Sequence, residues 1–204
     1  MWQFNQLIAE RFQHEAETNI PDYARVVSIC LNYANEMYKK DITIIDVGSA
    51  LGYTMNTFIQ AGYDQVYGVE SSKDMLDKSL YPANVFYTNV FPNMKCDLVL
   101  MNWTLHFIKE KESYLKSIYD QLNTNGTLIL TDKTTQMEPT KNLYYQFKHK
   151  KGVSYEYIFE KEKMLENVIY TKTTEWYLKV LTDIGFKVDI LNARYGFVTF
   201  LCLT

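Results

Sequence analysis

The chain has 204 residues, a net charge of −3, and 47% hydrophobic and 15% aromatic content. That length can bury a full core and fits one domain with an insertion, and the aromatic richness, with 17 tyrosines, excludes a disordered chain. The slight acidity leaves no global field to hold nucleic acid, so direct nucleic-acid binding is not expected, and no apolar run approaches membrane-span length. Three cysteines, Cys30, Cys96 and Cys202, lack Cys-x-x-Cys spacing and read as reduced, buried thiols rather than a disulfide or metal framework. The opening Met1-Trp2-Gln3-Phe4-Asn5-Gln6 has neither a basic nor an apolar leader segment, so the chain is expected to be cytoplasmic.

Behind Pro21-Asp22, residues Tyr23, Val26, Val27, Cys30, Ala34, Met37 and Tyr38 recur at helical spacing. They predict a helix to about Lys40, so residues 1–40 are read as N-terminal helices. The β-branched run Ile42, Thr43, Ile44, Ile45 then predicts a buried strand ending at Asp46. Gly48, Ala50 and Gly52 supply a tight turn that lets backbone approach a ligand, with a helix from about Leu51. A second strand, Gln65 to Val69, ends at Glu70, about 20 residues beyond Gly48, where an acid accepts the hydroxyls of a ribose. A pyrophosphate would be repelled by an acid placed just before the glycines. S-adenosylmethionine (SAM) has no phosphate and presents a cationic methionine end, which Asp46 favours. The motif therefore points to a SAM site.

Short strands are predicted at Val85–Thr88, Asp97–Met101 and Thr127–Leu130. Between the last two lies a helix from about Glu110 to Leu122, with Asn125-Gly126 as its stop. The segment Thr134 to Thr171 is too long for a plain connection and carries helical patterns at roughly Thr140–Lys150 and Tyr155–Tyr170. Such an insertion is expected to serve as a lid, a substrate platform or a dimer contact. Its basic cluster, Lys148 to Lys151, reads as a solvated helix end rather than an RNA patch. Thr173 or Thr174 caps a last helix lined by Trp176, Val180 and Ile184 and ended by Gly185. Strands Lys187–Leu191 and Gly196–Leu203 follow, separated by residues 192–195. The pattern predicts an α/β fold: a doubly wound, mostly parallel seven-stranded sheet with a terminal antiparallel hairpin. In such sheets ligands sit at the carboxyl ends of the strands, where Asp46, Glu70, Asn89 and Asn102 fall.

The chain resembles the carboxy-SAM synthase family of the tRNA wobble-uridine oxyacetic acid pathway, which has a class I methyltransferase fold. The match spans nearly the whole chain: Trp2 and Phe4, Ile8-Ala9-Glu10-x-Phe12, Pro21-x-Tyr23, Asp46-x-Gly48-x-x-Leu51-Gly52, Leu100-x-Asn102-x-Thr104-Leu105-x-Phe107, Gly152-x-Ser154, and Met164-Leu165-Glu166-Asn167-Val168. This resemblance implies that Tyr23, Gly48, Ser49, Ala50, Glu70, Ser71, Asn89, Val90 and Asn102 surround SAM or carboxy-SAM. It also implies a homodimer in which the insertion meets the partner, with Tyr144, Tyr145, Tyr155 and Tyr157 as expected exposed contacts.

Four positions depart from the family. Glu70 and Asn89 stand where it has Asp. Glu162 stands where it has the arginine that grips the carboxylate of carboxy-SAM, and a glutamate repels that group. Lys161, Lys163 or Arg194 are the candidate substitutes for the missing cation. His106 stands where the family has Gln, either as a hydrogen-bonded, half-buried histidine or as a base facing substrate. His14 and His149 lie on patterned helices and read as surface. The absence of Asn/Asp-Pro-Pro-Tyr/Phe after the fourth strand, and of a Pro-Cys pair, argues against exocyclic base N-methylation and cytosine C5 chemistry. Three functions remain open: a SAM-dependent methyltransferase acting on a small molecule, a carboxy-SAM synthase using prephenate, or a non-catalytic SAM-binding protein.

Overall fold

A computed structural model describes residues 6–204; Trp2, Phe4 and the rest of the opening segment lie outside it. Seven strands form one sheet: β1 (Thr43–Val47), β2 (Gln65–Glu70), β3 (Val85–Tyr87), β4 (Cys96–Asn102), β5 (Leu122–Lys133), β6 (Lys187–Arg194) and β7 (Phe197–Leu203). Their order across the sheet is β3-β2-β1-β4-β5-β7-β6. The first five are parallel, and β7 runs antiparallel to both β5 and β6. The order reverses at β1 and β4, the place where an open α/β sheet leaves a crevice above its strand ends.

Side-chain alternation builds two core layers. Ile44, Leu98, Leu100 and Ile129 pack on one face with Val26, Cys30 and Ala34 of α2 (Tyr23–Met37) and with Met55 and Phe58 of α3 (Tyr53–Gln60), after α1 (Gln6–Asn19). Ile45, Val99, Met101, Leu128 and Leu130 pack on the other face. There they meet Leu115 and Ile118 of α5 (Lys111–Gln121), which follows the one-turn α4 (Lys73–Leu76), and Tyr177 and Leu181 of α8 (Thr174–Ile184). Strands buried on both faces read as the continuous apolar runs seen in the sequence. All three cysteines are free and buried within these layers.

Several boundaries differ from the sequence reading, each for a local reason. Strand β5 begins at Leu122, directly after α5, because Leu122 pairs with Cys96. Asn125-Gly126 therefore lies inside a register shift of β5, with Asn125 at φ 61°, and does not stop the helix. Helix α2 ends at Met37 because Tyr38 turns extended and sends its hydroxyl to Thr127, 2.7 Å away. Helix α3 starts at Tyr53, with Gly52 (φ 84°) as its N-cap. The insertion forms α6 (Glu138–Lys150) and α7 (Tyr155–Leu165). Asn167 (φ 61°) breaks the pattern expected to reach Tyr170, and the Tyr170 N–H instead donates to the His106 carbonyl at 2.7 Å. The final hairpin turns on two residues only, Tyr195 (φ 49°) and Gly196 (φ 78°), so residues 192–194 stay in β6. Two successive positive φ values match the twist of the flanking strands.

Candidate active site

A cavity of about 760 Å³ opens above the carboxyl ends of β1, β2 and β4. Its wall includes Tyr23, Asp46, Gly48, Ser49, Ala50, Glu70, Ser71, Asn89, Asn102, His106 and Glu162 of the residues singled out from the sequence. Gly52 and Val90 lie outside the wall; Val90 is exposed, and Gly52 shapes the turn behind it. Helix α1 and the insertion helices α6 and α7 complete the wall, so the insertion covers the site.

The first loop is held by its backbone. Gly48 and Ser49 donate to the Val69 carbonyl at 2.8 and 3.1 Å, which folds the loop onto the end of β2. Gly48 sits at φ 75°, and a Cβ there would meet Thr104 Oγ1 at 2.1 Å. Ala50 holds a left-handed φ of 47° and donates its N–H to Glu70 Oε2 at 2.9 Å. The other Glu70 oxygen accepts from Ser71 and Ser72 N–H at 2.8 and 2.7 Å. Three of the carboxylate's roughly four acceptor positions are thus used within the protein, leaving one on Oε2. Burial raises the Glu70 carboxyl, and the three N–H groups oppose that rise.

Asp46 is different. Its side chain is buried, and no donor among the described residues pairs with it. Burial, then the nearby Glu70 charge, push its pKa up to about 7. An uncompensated acid in a closed wall calls for a cation. Nearby, Ser49 Oγ, Asn102 Oδ1 and Trp103 Nε1 are buried without hydrogen-bond partners among the described residues. Trp103, at φ 55°, stacks on Tyr23 with ring centroids 4.7 Å apart, giving a flat aromatic face. A bulky residue at positive φ is strained, and such strain gathers at ligand sites. An acid for a cation, an aromatic face and spare polar groups fit a nucleoside carrying a sulfonium and an amino acid.

The far side of the cavity is basic, which the sequence reading missed. Lys133 from β5 and Lys141 and Lys148 from α6 join Lys161 and Glu162 of α7 in the wall. Lys148 is buried, not a solvated helix end, and burial followed by the charges of Lys133 and Lys161 lowers its pKa to about 8. Burial likewise lowers Lys133. Neither lysine is ion-paired among the described residues; both lie over the Tyr144 ring, at 5.2 and 4.4 Å from its centroid. Glu162 pairs with Lys141 at 2.7 Å and accepts the Tyr145 hydroxyl. Burial would raise the Glu162 carboxyl, but these bonds and the Lys141 and Lys133 charges outweigh it and hold it below its ordinary value. The candidate substitute cations are placed elsewhere or engaged: Lys161 pairs with Glu15, Arg194 with Asp22, and Lys163 is outside the wall. Tyr144 and Tyr145, expected as exposed contacts, are buried wall residues, because the apolar side of α6 faces the cavity. His14 and His149 are exposed, as read. A further missed residue, Asp132, lies at the carboxyl end of β5 between Thr131 and Lys133, wholly buried beside His106.

Comparison with known proteins supplies the family. A model described as a methyltransferase domain matches residues 13–188. The carboxy-S-adenosyl-L-methionine synthase of Sodalis glossinidius is 27% identical, over 91% of this chain and 83% of the relative. The enzyme of the same name from Helicobacter hepaticus is 26% identical, over 98% and 93%. Among solved structures, magnesium protoporphyrin IX methyltransferase from Synechocystis PCC 6803, with bound SAH, superposes with a TM-score of 0.69 at 14% identity, covering 98% of this chain and 95% of that one. A SAM-dependent methyltransferase from Aquifex aeolicus gives 0.61 at 16% identity, covering 98% and 99%. The chain belongs to the methyltransferase domain family, with the class I fold and SAM as its cofactor.

Proposed function

We propose that the protein transfers the SAM methyl group to a small acceptor that carries an anionic group, and that it diverged from a carboxy-SAM synthase ancestor. The observation that carries this reading is the polarity of one cavity: unpaired Asp46 at one side, unpaired Lys133 and Lys148 at the other. The SAM methionine end lies against Asp46, Ser49 and Ala50, with Gly48 and Gly52 shaping the loop. Glu70 and Ser71 take the ribose, Asn89 the adenine amino group, and Tyr23 and Asn102 close the nucleoside side. SAM supplies an electrophilic methyl group, and the chain's own work is to hold that group in line with the acceptor and exclude water. The lysine pair compensates the acceptor's anion in a water-poor site, where an isolated buried charge is costly. Helices α6 and α7 form the lid over a single domain.

A second reading, a carboxy-SAM synthase using prephenate, is favoured by the same lysines, since they supply the cation that the missing arginine would have given. Mass spectrometry of the nucleoside that co-purifies with the protein separates the two. SAM or S-adenosylhomocysteine supports methyl transfer; carboxy-SAM supports the synthase. Tight SAM binding without turnover of any anionic acceptor would point to a non-catalytic SAM-binding protein.

A further inference from the structure

His106 lies in the short turn Leu105–Phe107 after β4 and forms part of the cavity wall. Its Nδ1 contacts Asp132 Oδ1, and the Tyr177 hydroxyl donates to Asp132 Oδ2. Asp132 is wholly enclosed, at 0% exposure. A buried carboxylate must accept from both neighbours, which puts the ring proton on Nδ1 and leaves the lone pair on Nε2. No partner for Nε2 is present among the described residues. One ring nitrogen is fixed by a buried acid, and the ring it orients borders the cavity.

We propose that His106 is a general base toward a hydroxyl acceptor, with Asp132 and Tyr177 as positioning residues that fix its tautomer. The inference rests on the methyl-transfer reading and adds the acceptor's chemistry: a small hydroxy acid, its anion near the lysines and its hydroxyl at His106. Nε2 takes the hydroxyl proton as the oxygen lone pair forms the new O–CH₃ bond. The S–CH₃ bond breaks with its electron pair going to sulfur, giving S-adenosylhomocysteine. The imidazolium, balanced by Asp132, then releases its proton to solvent. Among the described residues, the titratable groups bonded around this ring are Asp132 from β5 and Tyr177 from α8, and Lys111 from α5 brings a charge near Asp132. The Lys111 ammonium is turned away onto the Leu105 carbonyl at 2.8 Å and the Ile108 carbonyl.

Two measurements on the full chain test this. Nitrogen-15 NMR of the histidines is expected to show neutral His106 protonated at Nδ1 in the wild type, and a shift toward Nε2 protonation in Asp132→Asn. Tyr177→Phe serves as the second variant should Asp132→Asn fail to fold, and is expected to shift the same equilibrium less. Release of S-adenosylhomocysteine from SAM is then followed with lactate, salicylate and 4-hydroxybenzoate as probes across neutral pH. Turnover of at least one is expected, with kcat falling roughly 10²–10⁴-fold in His106→Asn and the rising limb of the pH profile lost, while SAM affinity is kept. Protonated Nε2 in the wild type, unchanged kcat in His106→Asn, or no release with any probe while SAM binds would each overturn the assignment. Failure of the wild type to bind SAM would overturn the methyl-transfer reading beneath it.

Discussion

Glu70, where the resemblance to the carboxy-SAM synthases implies an aspartate, folds its carboxylate back onto three N–H groups. Glu70→Ala would remove the acceptor left for ribose and orphan those donors. SAM binding should weaken by roughly 1.5–3 kcal/mol, and unchanged affinity by calorimetry would remove Glu70 from the site. Asp46 gives a pH prediction. Its folded pKa of about 7 lies above its ordinary carboxylate value, so the folded state holds the proton more tightly than the unfolded chain. Stability from this group is therefore full at low pH and lost as pH rises through about 7, by an amount on the order of a few kcal/mol. Glu70, also raised, adds a slope of the same sign. Denaturant unfolding of the ligand-free protein should show stability falling from acid to neutral pH, with a shallower fall in Asp46→Asn. SAM affinity should move the opposite way, rising through about pH 7 as Asp46 ionises, and Asp46→Asn should bind more weakly with little pH dependence. A wild-type affinity flat across this range would deny that Asp46 meets a cation.

The elements were legible where one physical signal dominated. The β-branched run before Asp46, the two acids at strand ends and the Gly48 loop could be read directly, because a strand, a tight turn and a ligand approach each demand particular residues. The start of β5 was not, since Asn125-Gly126 is strong turn chemistry that pairing of Leu122 with Cys96 overrides. Lys148 was misread because helix-end lysines usually meet solvent; only the fold of α6 over the sheet reveals the aromatic and basic wall it joins. Asp132 stands between Thr131 and Lys133 at the carboxyl end of β5, an acid at a strand end like Asp46 and Glu70, but the strand was expected to stop at Leu130 and so left it outside. The hairpin gives a test at this scale. Gly196→Ala places a Cβ at positive φ, 2.4 Å from Gln136 Cγ. It should cost roughly 1–2 kcal/mol and lower the melting temperature by about 2–8 °C. An unchanged melting temperature would contradict a strained two-residue turn.

At the scale of the molecule, burial of Tyr144 and Tyr145 narrows the surface on which copies of the chain could meet. Helix α7 still exposes Tyr155, Tyr157, Phe159 and Met164. We expect a homodimer through that face, with a mass by light scattering of about twice 24.0 kDa at micromolar concentration; a monomer mass would refute it. Glu162, anchored by Lys141 and Tyr145, stands where the resemblance to the carboxy-SAM synthases implies a carboxylate-binding arginine. A carboxylate at Glu162 repels a second carboxylate placed beside it, so SAM should be preferred over carboxy-SAM. Competitive calorimetry of SAM and carboxy-SAM on the wild type and Glu162→Arg measures this directly. The wild type should bind SAM more tightly, and Glu162→Arg should shift preference toward carboxy-SAM. Tighter binding of carboxy-SAM by the wild type would contradict this, and would mean that Lys133 and Lys148 hold the carboxylate in the arginine's place.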